Sequence, residues 1–132
     1  MDNTFPKKEH LCLKRRFDAL LAQGKSFFIY PFRVIYLLAE PGDDGVPLQA
    51  AISVRKKQFK HAVTRNLIKR RFRESWRRRK QGLQSGLGGQ KRSMYVLLVY
   101  GASEVLPFRE IDDRMALVIR RLADITGTSA AS

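Results

Sequence analysis

The chain has 132 residues, of which 44% are hydrophobic, so it can form one folded domain with a substantial core. Its 26 Lys and Arg residues outweigh 12 Asp and Glu residues and give a formal net charge of +14, which predicts an anionic partner. The single cysteine, Cys12, excludes a disulfide within the chain, and no apolar run approaches the roughly 18–20 residues of a membrane-spanning helix. The N-terminus lacks the pattern of a secretory signal. The sequence therefore predicts a cytoplasmic protein with no membrane partner.

The first part of the chain predicts a helix followed by two strands. Apolar residues recur at helical spacing from His10 to Ala22, and Gly24 is a suitable stop. Residues 26–39 are rich in aromatic and β-branched side chains and predict a strand, which Pro31 interrupts because proline cannot donate a ladder hydrogen bond. After a turn rich in Pro, Gly and Asp, residues 48–54 predict a second strand that forms an antiparallel hairpin with the first.

Residues 61–80 contain no Pro or Gly and predict one long amphipathic helix. One face of that helix is basic and polar: Arg65, Asn66, Lys69, Arg70, Arg73, Arg77 and Lys80. The adjacent face suits a core and carries Thr64, Ile68, Phe72 and Ser75, with Trp76 at the seam. Between Arg55 and Lys80, thirteen basic residues face one acid, Glu74, and like charges one turn apart repel. This concentration favours a nucleic-acid surface over a merely solvated charged face.

The second part of the chain predicts a loop, a strand and a helix. Residues 81–92 are rich in Gly, Gln and Ser and predict an exposed, mobile loop. Residues 93–100 are almost all apolar, which predicts a buried central strand. Pro107 suits the first turn of a final helix. The apolar stripe of that helix consists of Ile111, Met115, Val118, Ile119 and Leu122.

The element order α-β-β-α-β-α favours an α+β domain with helices packed on a sheet. We expect an ordered core over about residues 10–123, with loose tails at 1–9 and 126–132. No phosphate-binding loop or dinucleotide fingerprint is present, so neither a small-molecule substrate nor a catalytic site in the protein is predicted. Asp112 and Asp113 could bind a metal ion, but acids near a helix start more often serve the helix dipole, and we predict no metal site.

One sequence pattern is specific. The segment Ala51-Ile52-Ser53-Val54-Arg55-Lys56-Lys57 is followed by Ala62-Val63-x-Arg65-Asn66-x-x-Lys69-Arg70-x-x-Arg73. The pattern resembles the protein subunit of bacterial ribonuclease P, the ribonucleoprotein that removes the 5′ leader from precursor tRNA. The resemblance implies a four-stranded sheet with a left-handed β-α-β crossover through the basic helix, a rare hand for such a connection. The fourth strand would come from splitting residues 26–39 at Pro31.

The resemblance also implies a division of labour between protein and RNA. The RNA subunit would hold the catalytic Mg²⁺ ions and perform the hydrolysis, and the protein alone would not be catalytic. The protein would bind the ribonuclease P RNA through the basic helix face, that is, through Arg65, Asn66, Lys69, Arg70, Arg73 and Arg77. Phosphate contacts there would supply affinity, and Asn66 could fix the register through hydrogen bonds.

In that family the leader of precursor tRNA binds in a cleft between the first helix and the sheet, where single-stranded bases stack on aromatic rings within a positive groove. The candidates for leader binding in this chain are Phe17, Phe32, Tyr36, Lys56 and Lys57. Phe17 also lies on the apolar face of its helix, so core packing explains it equally well.

Two alternatives share the basic composition. A ribosomal or general RNA-binding protein without a catalytic RNA partner would need the same charge. A DNA-binding module could place the helix 61–80 in a major groove, but no helix-turn-helix partner precedes it, and burial of Phe72 and Trp76 would leave a narrow face. The spacing of the basic motif favours the ribonuclease P subunit over both.

Overall fold

A four-stranded sheet lies at the centre of the fold. The structure is a computed structural model that describes residues 14–40, 46–89 and 92–126. The elements within these ranges are α1 (Lys14–Gln23), β1 (Lys25–Ile29), β2 (Phe32–Ala39), β3 (Leu48–Val54), α2 (Ala62–Arg79), α3 (Gln81–Gly89), β4 (Ser93–Tyr100) and α4 (Phe108–Thr126). The predicted loose tail at 1–9, residues 127–132 of the other predicted tail, the turn at 41–45 and the predicted helix start at 10–13 lie outside the described residues. Thr126, predicted to begin the loose C-terminal tail, is instead the buried last residue of α4.

The strands are ordered β1-β2-β4-β3. The predicted split at Pro31 is confirmed, since β1 and β2 form an antiparallel pair joined through a cis Tyr30–Pro31 peptide. The predicted antiparallel hairpin between residues 26–39 and 48–54 is wrong, because β4 lies between them, antiparallel to β2 and parallel to β3. The reason is burial: β4 is the most apolar strand and takes the central position, which is covered on both faces.

The parallel pairing of β3 with β4 requires a crossover, and α2 and α3 supply it. The predicted α+β class, the four-stranded sheet and the β-α-β connection through the basic helix are therefore confirmed. The left-handed sense of the crossover stays a prediction.

The two faces of the sheet differ in how they are covered. Along β2 the side chains alternate, so that Phe32 and Val34 join a large core with α2, α3 and α4. Ile35 and Leu37 point to the other face, which we call the α1 face, where they pack around Leu20 of α1 together with residues of β4. One face is thus closed by three helices, and the other is covered by one short helix.

The rotation of α2 agrees with the predicted wheel. Ile68, Phe72, Ser75 and Trp76 are buried, and the Phe72 and Trp76 rings are stacked with their centroids 5.9 Å apart. Lys80 is the exception: the wheel places it on the basic face, but only 2% of its surface is exposed. Lys80 lies at the corner between α2 and α3, where its backbone N–H donates to the Trp76 carbonyl and its Nζ lies 3.3 Å from Gln84 Oε1.

The predicted mobile loop at 81–92 is wrong over residues 81–89, which form α3. Leu83 and Leu87 lie one turn apart and are buried in the main core. Burying a leucine contributes about 1.5–3 kcal/mol, whereas a glycine within a helix costs roughly 1 kcal/mol. Two buried leucines therefore offset the glycines of this segment, of which Gly82 and Gly88 lie in open space.

The final helix begins as predicted after Pro107, and its apolar stripe is buried, as expected. Asp112 does not serve the helix dipole. Its carboxylate accepts hydrogen bonds from Arg79 Nε (2.9 Å), Arg79 Nη2 (2.8 Å) and Ser75 Oγ (2.7 Å). The bonds from Arg79 lower the pKa of Asp112 below its ordinary value, although burial opposes this. The pair therefore links the outer end of α2 to α4.

Replacing Asp112 with Asn should destabilise the fold by roughly 2–4 kcal/mol, because Arg79 and Ser75 lose a charged acceptor in a mostly buried position. The stabilisation from Asp112 is present above the carboxyl pKa of the unfolded chain, about 3.9, and is lost as the pH falls through the lower pKa of the folded state. Urea unfolding at several pH values should show this acid-dependent part in the wild type and not in D112N. The exposed Asp124 provides the control, and equal losses in D124N and D112N would contradict the assignment.

Candidate nucleic-acid interface

The outer side of α2 carries the basic face that the sequence predicts. Asn66, Arg70 and Arg73 are exposed, and Arg65, Lys69 and Arg77 are half-buried. Asn66, Arg70, Arg73 and Arg77 lie away from the buried side that Ile68, Phe72 and Trp76 define, whereas Arg65 and Lys69 lie closer to that side, in agreement with their partial burial. Within the described ranges, the side chains of Lys69, Arg70 and Arg73 form no hydrogen bond or ion pair. Their charges are therefore available to an external anion.

Two members of the basic face also have intramolecular roles. Arg65 Nη1 donates to the carbonyl oxygens of Phe59 (2.7 Å) and Lys60 (3.0 Å), which fixes the segment entering α2. Arg77 pairs with Glu74 one turn earlier, and this hydrogen bond lowers the pKa of Glu74. The charge of Arg77 is thus partly matched by the carboxylate of Glu74.

A second basic group lies at the end of β3. Arg55, Lys56 and Lys57 are exposed in the turn that leads into α2. This turn is anchored by Phe59, which is buried and packs against the Tyr100 ring at a centroid distance of 5.9 Å. The basic turn and the start of the basic helix therefore lie at the same end of the sheet.

The α1 face of the sheet is only partly covered. Arg16, near the start of α1, donates to Gln49 Oε1 at 2.8 Å, and Leu20 packs on Tyr95 and Leu97. Gly24, just after α1, lies so close to β2 that an added Cβ would be 3.1 Å from Ile35 Cγ2. The helix thus crosses one half of the sheet. The uncovered half carries a row of directly paired residues, here called the open row: Phe28, Arg33, Val99 and Ser53.

Phe17 lies beside this uncovered half. Its side chain is half-buried and packs against the cluster around Leu20, so it serves both core and surface. Leu21 follows one helical turn later and is 55% exposed, which extends the same apolar side of α1 toward solvent. Leu21 is not among the site residues predicted from the sequence, although its spacing of four residues from Phe17 indicates that the two side chains share one side of the helix.

Two of the predicted leader-binding residues, Phe32 and Tyr36, lie on the face of the sheet opposite α1. Phe32 is fully buried and packs edge-on against Phe72 and Tyr100, so no base can reach its ring. Tyr36 lies on the same face of β2 as Phe32 and packs against Phe27, away from Phe17. Strand alternation instead places Ile35 on the α1 face.

Comparison with known proteins gives a consistent result. The family model described as Ribonuclease P matches residues 5–123. The "Ribonuclease P protein component" of Porphyromonas gingivalis (strain ATCC 33277) is 34% identical over 126 residues, which cover 94% of this chain and 90% of that protein. Another protein of the same name, from Picosynechococcus, is 38% identical over 81 residues, covering 61% of this chain and 66% of that protein.

Two solved structures share the fold. The RNase P protein of Staphylococcus aureus superimposes with a TM-score of 0.66 at 19% identity, over 86% of this chain and 94% of that one. The RNase P protein of Thermotoga maritima gives a TM-score of 0.66 at 23% identity, over 86% and 96% of the two chains. Within the ranges that the structure describes, no helix is long and apolar enough to span a membrane.

Replacing Phe32 with Ala should cost roughly 3–5 kcal/mol of folding stability, because the whole ring is buried in the main core. Replacing Phe17 with Ala should cost less, at most about 1.5 kcal/mol, since part of its ring is already exposed to water. Urea denaturation of both variants measures the difference. A Phe32→Ala protein as stable as the wild type would place that ring at the surface.

Proposed function

The chain belongs to the ribonuclease P protein family, and from this membership we propose that it is an accessory, non-catalytic subunit that binds the catalytic RNA and the 5′ leader of precursor tRNA. The observation that carries the proposal is the basic face of α2, on which the exposed Arg70 and Arg73 and the half-buried Lys69 form no hydrogen bond or ion pair among the described residues. The opposite side of the helix is buried through Ile68, Phe72 and Trp76. Maturation of tRNA by this ribonucleoprotein implies a cytoplasmic location.

The basic face of α2 is the proposed contact with the catalytic RNA. Lys69, Arg70 and Arg73 present three cations without internal partners among the described residues, and arginine forks match phosphate oxygens in geometry. Asn66, exposed one turn before Arg70, can both donate and accept hydrogen bonds and so fix the register. Arg65 contributes mainly by positioning the segment that enters α2.

The groove between α1 and the uncovered half of the sheet is the proposed site for the leader. Phe17 and Leu21 form its apolar wall, and Lys56 and Lys57 lie at the end of the adjoining strand β3. Single strands bind where aromatic rings accept bases near positive charges, so the half-buried Phe17 ring and the exposed Lys56 and Lys57 support this proposal. Two of the five leader candidates, Phe32 and Tyr36, are not part of this site.

The described residues do not bring together three or more His, Cys, Asp or Glu side chains as a metal site. In the proposed function, Mg²⁺ belongs to the RNA subunit, which performs the hydrolysis. What the residues of this chain do is bind and orient: α2 binds the RNA subunit, and the α1 face holds the leader.

Cleavage of a 5′-extended precursor tRNA provides the direct test. At low Mg²⁺ concentration, bacterial ribonuclease P RNA with this protein should cleave faster than the RNA alone, because the protein neutralises phosphate repulsion between RNA and substrate. The protein alone should give no cleavage. Binding to the RNA without any gain in cleavage would favour the alternative of a general RNA-binding protein.

Replacing Arg70 with Ala should weaken binding to the catalytic RNA. The log–log dependence of the affinity on salt should fall by roughly 0.7–0.9 for each phosphate that the variant no longer neutralises. Arg120, an exposed arginine on α4, is the matched control for charge. Filter binding at several salt concentrations measures both slopes. If R70A and R120A lower the slope equally, binding depends on total charge, and the assignment to the basic face of α2 is incorrect.

A further inference from the structure

Two aromatic side chains lie exposed at the tip of the β1–β2 hairpin. Phe28 is 59% exposed and Tyr30 is 41% exposed. Their rings contact each other edge to face, with centroids 6.4 Å apart and planes at 62°. Neither ring belongs to a core cluster, whereas the alternate residues Phe27 and Ile29 pack against the main core. The core therefore does not explain why this hairpin carries Phe28 and Tyr30.

Phe28 lies on the α1 face, at the far end of the open row. It is paired with Arg33, which is paired with Val99, which in turn is paired with Ser53. Three strand spacings of about 4.8 Å place Phe28 roughly 14 Å from Ser53. Both the Phe17 groove and the Phe28 ring therefore open onto the same surface, one beside α1 and the other at the hairpin edge.

The surface next to Phe28 is flat and basic. Gly101 lies beside the ring, and an added Cβ there would be 3.7 Å from Phe28 Cε1, so the missing side chain leaves that flank of the ring uncovered. Arg33 is exposed directly opposite Phe28 in the sheet. The charged residues of the open row and of the turn after β3 are all basic: Arg33, Arg55, Lys56 and Lys57. This combination of rings and cations suits a single-stranded nucleic acid.

We propose that Phe28 and Tyr30 form a second base-stacking platform, which binds leader nucleotides that extend beyond the Phe17 groove across the open row. This inference depends on the proposed function, since it needs a single-stranded leader on the α1 face. Arg33 would contact the phosphates between the two stacking sites. A protein partner fits less well, because the two partly exposed rings offer roughly 200 Å² while a stable interface buries about 800 Å² on each partner.

The test is a leader-length series with the complete ribonucleoprotein. Precursor tRNAs with leaders shortened one nucleotide at a time are bound by holoenzyme that contains wild-type or F28A protein. For the wild type, affinity should rise again when the leader becomes long enough to reach the hairpin. For these long leaders, the Kd of the F28A holoenzyme should be roughly 5- to 150-fold higher than that of the wild type, which is the equivalent of about 1–3 kcal/mol per stacked base.

Two further variants separate stacking from other roles. F28Y keeps an aromatic ring and should retain the gain for long leaders, whereas F28L keeps an apolar side chain without a ring and should lose it. The exposed Leu117 on α4 provides the control for loss of a surface apolar group, and L117A should behave as the wild type does. Thermal unfolding of each variant shows whether a loss comes from misfolding.

The outcomes are distinguishable. If the protein assists cleavage and F28A shows the wild-type dependence on leader length, the second platform is wrong and the proposed function stands. If the protein has no effect with any leader, both fail. If F28A instead changes self-association in sedimentation experiments and leaves the leader dependence intact, the rings contact another protein chain and the platform for RNA is rejected.

Discussion

Burial of the stacked Phe72 and Trp76 rings beneath the sheet is the constraint on which the rest of the structure depends. The two rings fix the rotation of α2 about its own axis, because Phe72 also packs edge-on against Phe32 of β2. Any other rotation would bury arginines without partners, and the free-energy cost of burying those charges exceeds the stabilisation that burial of the apolar side chains provides. The direction in which the basic face points is therefore determined by the core.

Polar contacts then fix the position of α2 relative to its neighbours. Near its C-terminal end, Ser75 and Arg79 bind Asp112 of α4. On another side, Arg71 Nη1 donates to the carbonyl of Leu106, in the segment between β4 and α4. The backbone of that segment is also held by Tyr100, whose hydroxyl accepts from the Leu106 N–H. The arginines of α2 thus divide into those that build the domain and those that face outward.

The two faces of the sheet also differ in how far the helices cover them. The face that carries Phe32 and Val34 is covered by α2, α3 and α4, which bury both side chains completely. The α1 face is covered by one short helix that crosses only half of it, so the open row remains accessible. The placement of α1 is fixed by buried contacts of Arg16 and Leu20.

Much of this organisation could be predicted from the sequence, because periodicity and the basic motif are local signals. The strands 48–54 and 93–100 and the buried side of α2 agree with prediction. The failures required knowledge of distant contacts. Alternation shows that Phe32 and Tyr36 share a face, but only strand pairing shows which helices cover it. Likewise, the glycine content of residues 81–89 predicted a loop, because the helix α3 is stabilised by burial of its two leucines in a core that local sequence does not reveal.

The parallel pairing of β3 with β4 also affects how the chain folds during its synthesis. In the described sheet, β3 is hydrogen-bonded to β4 alone, yet all of α2 and α3 is made before β4. A nascent chain that stops before Ser93 has neither the strand to which β3 is hydrogen-bonded nor the carboxylate that holds Arg79. The contacts that surround α2 in the final fold are therefore complete only after β4 and the first part of α4 have been synthesised.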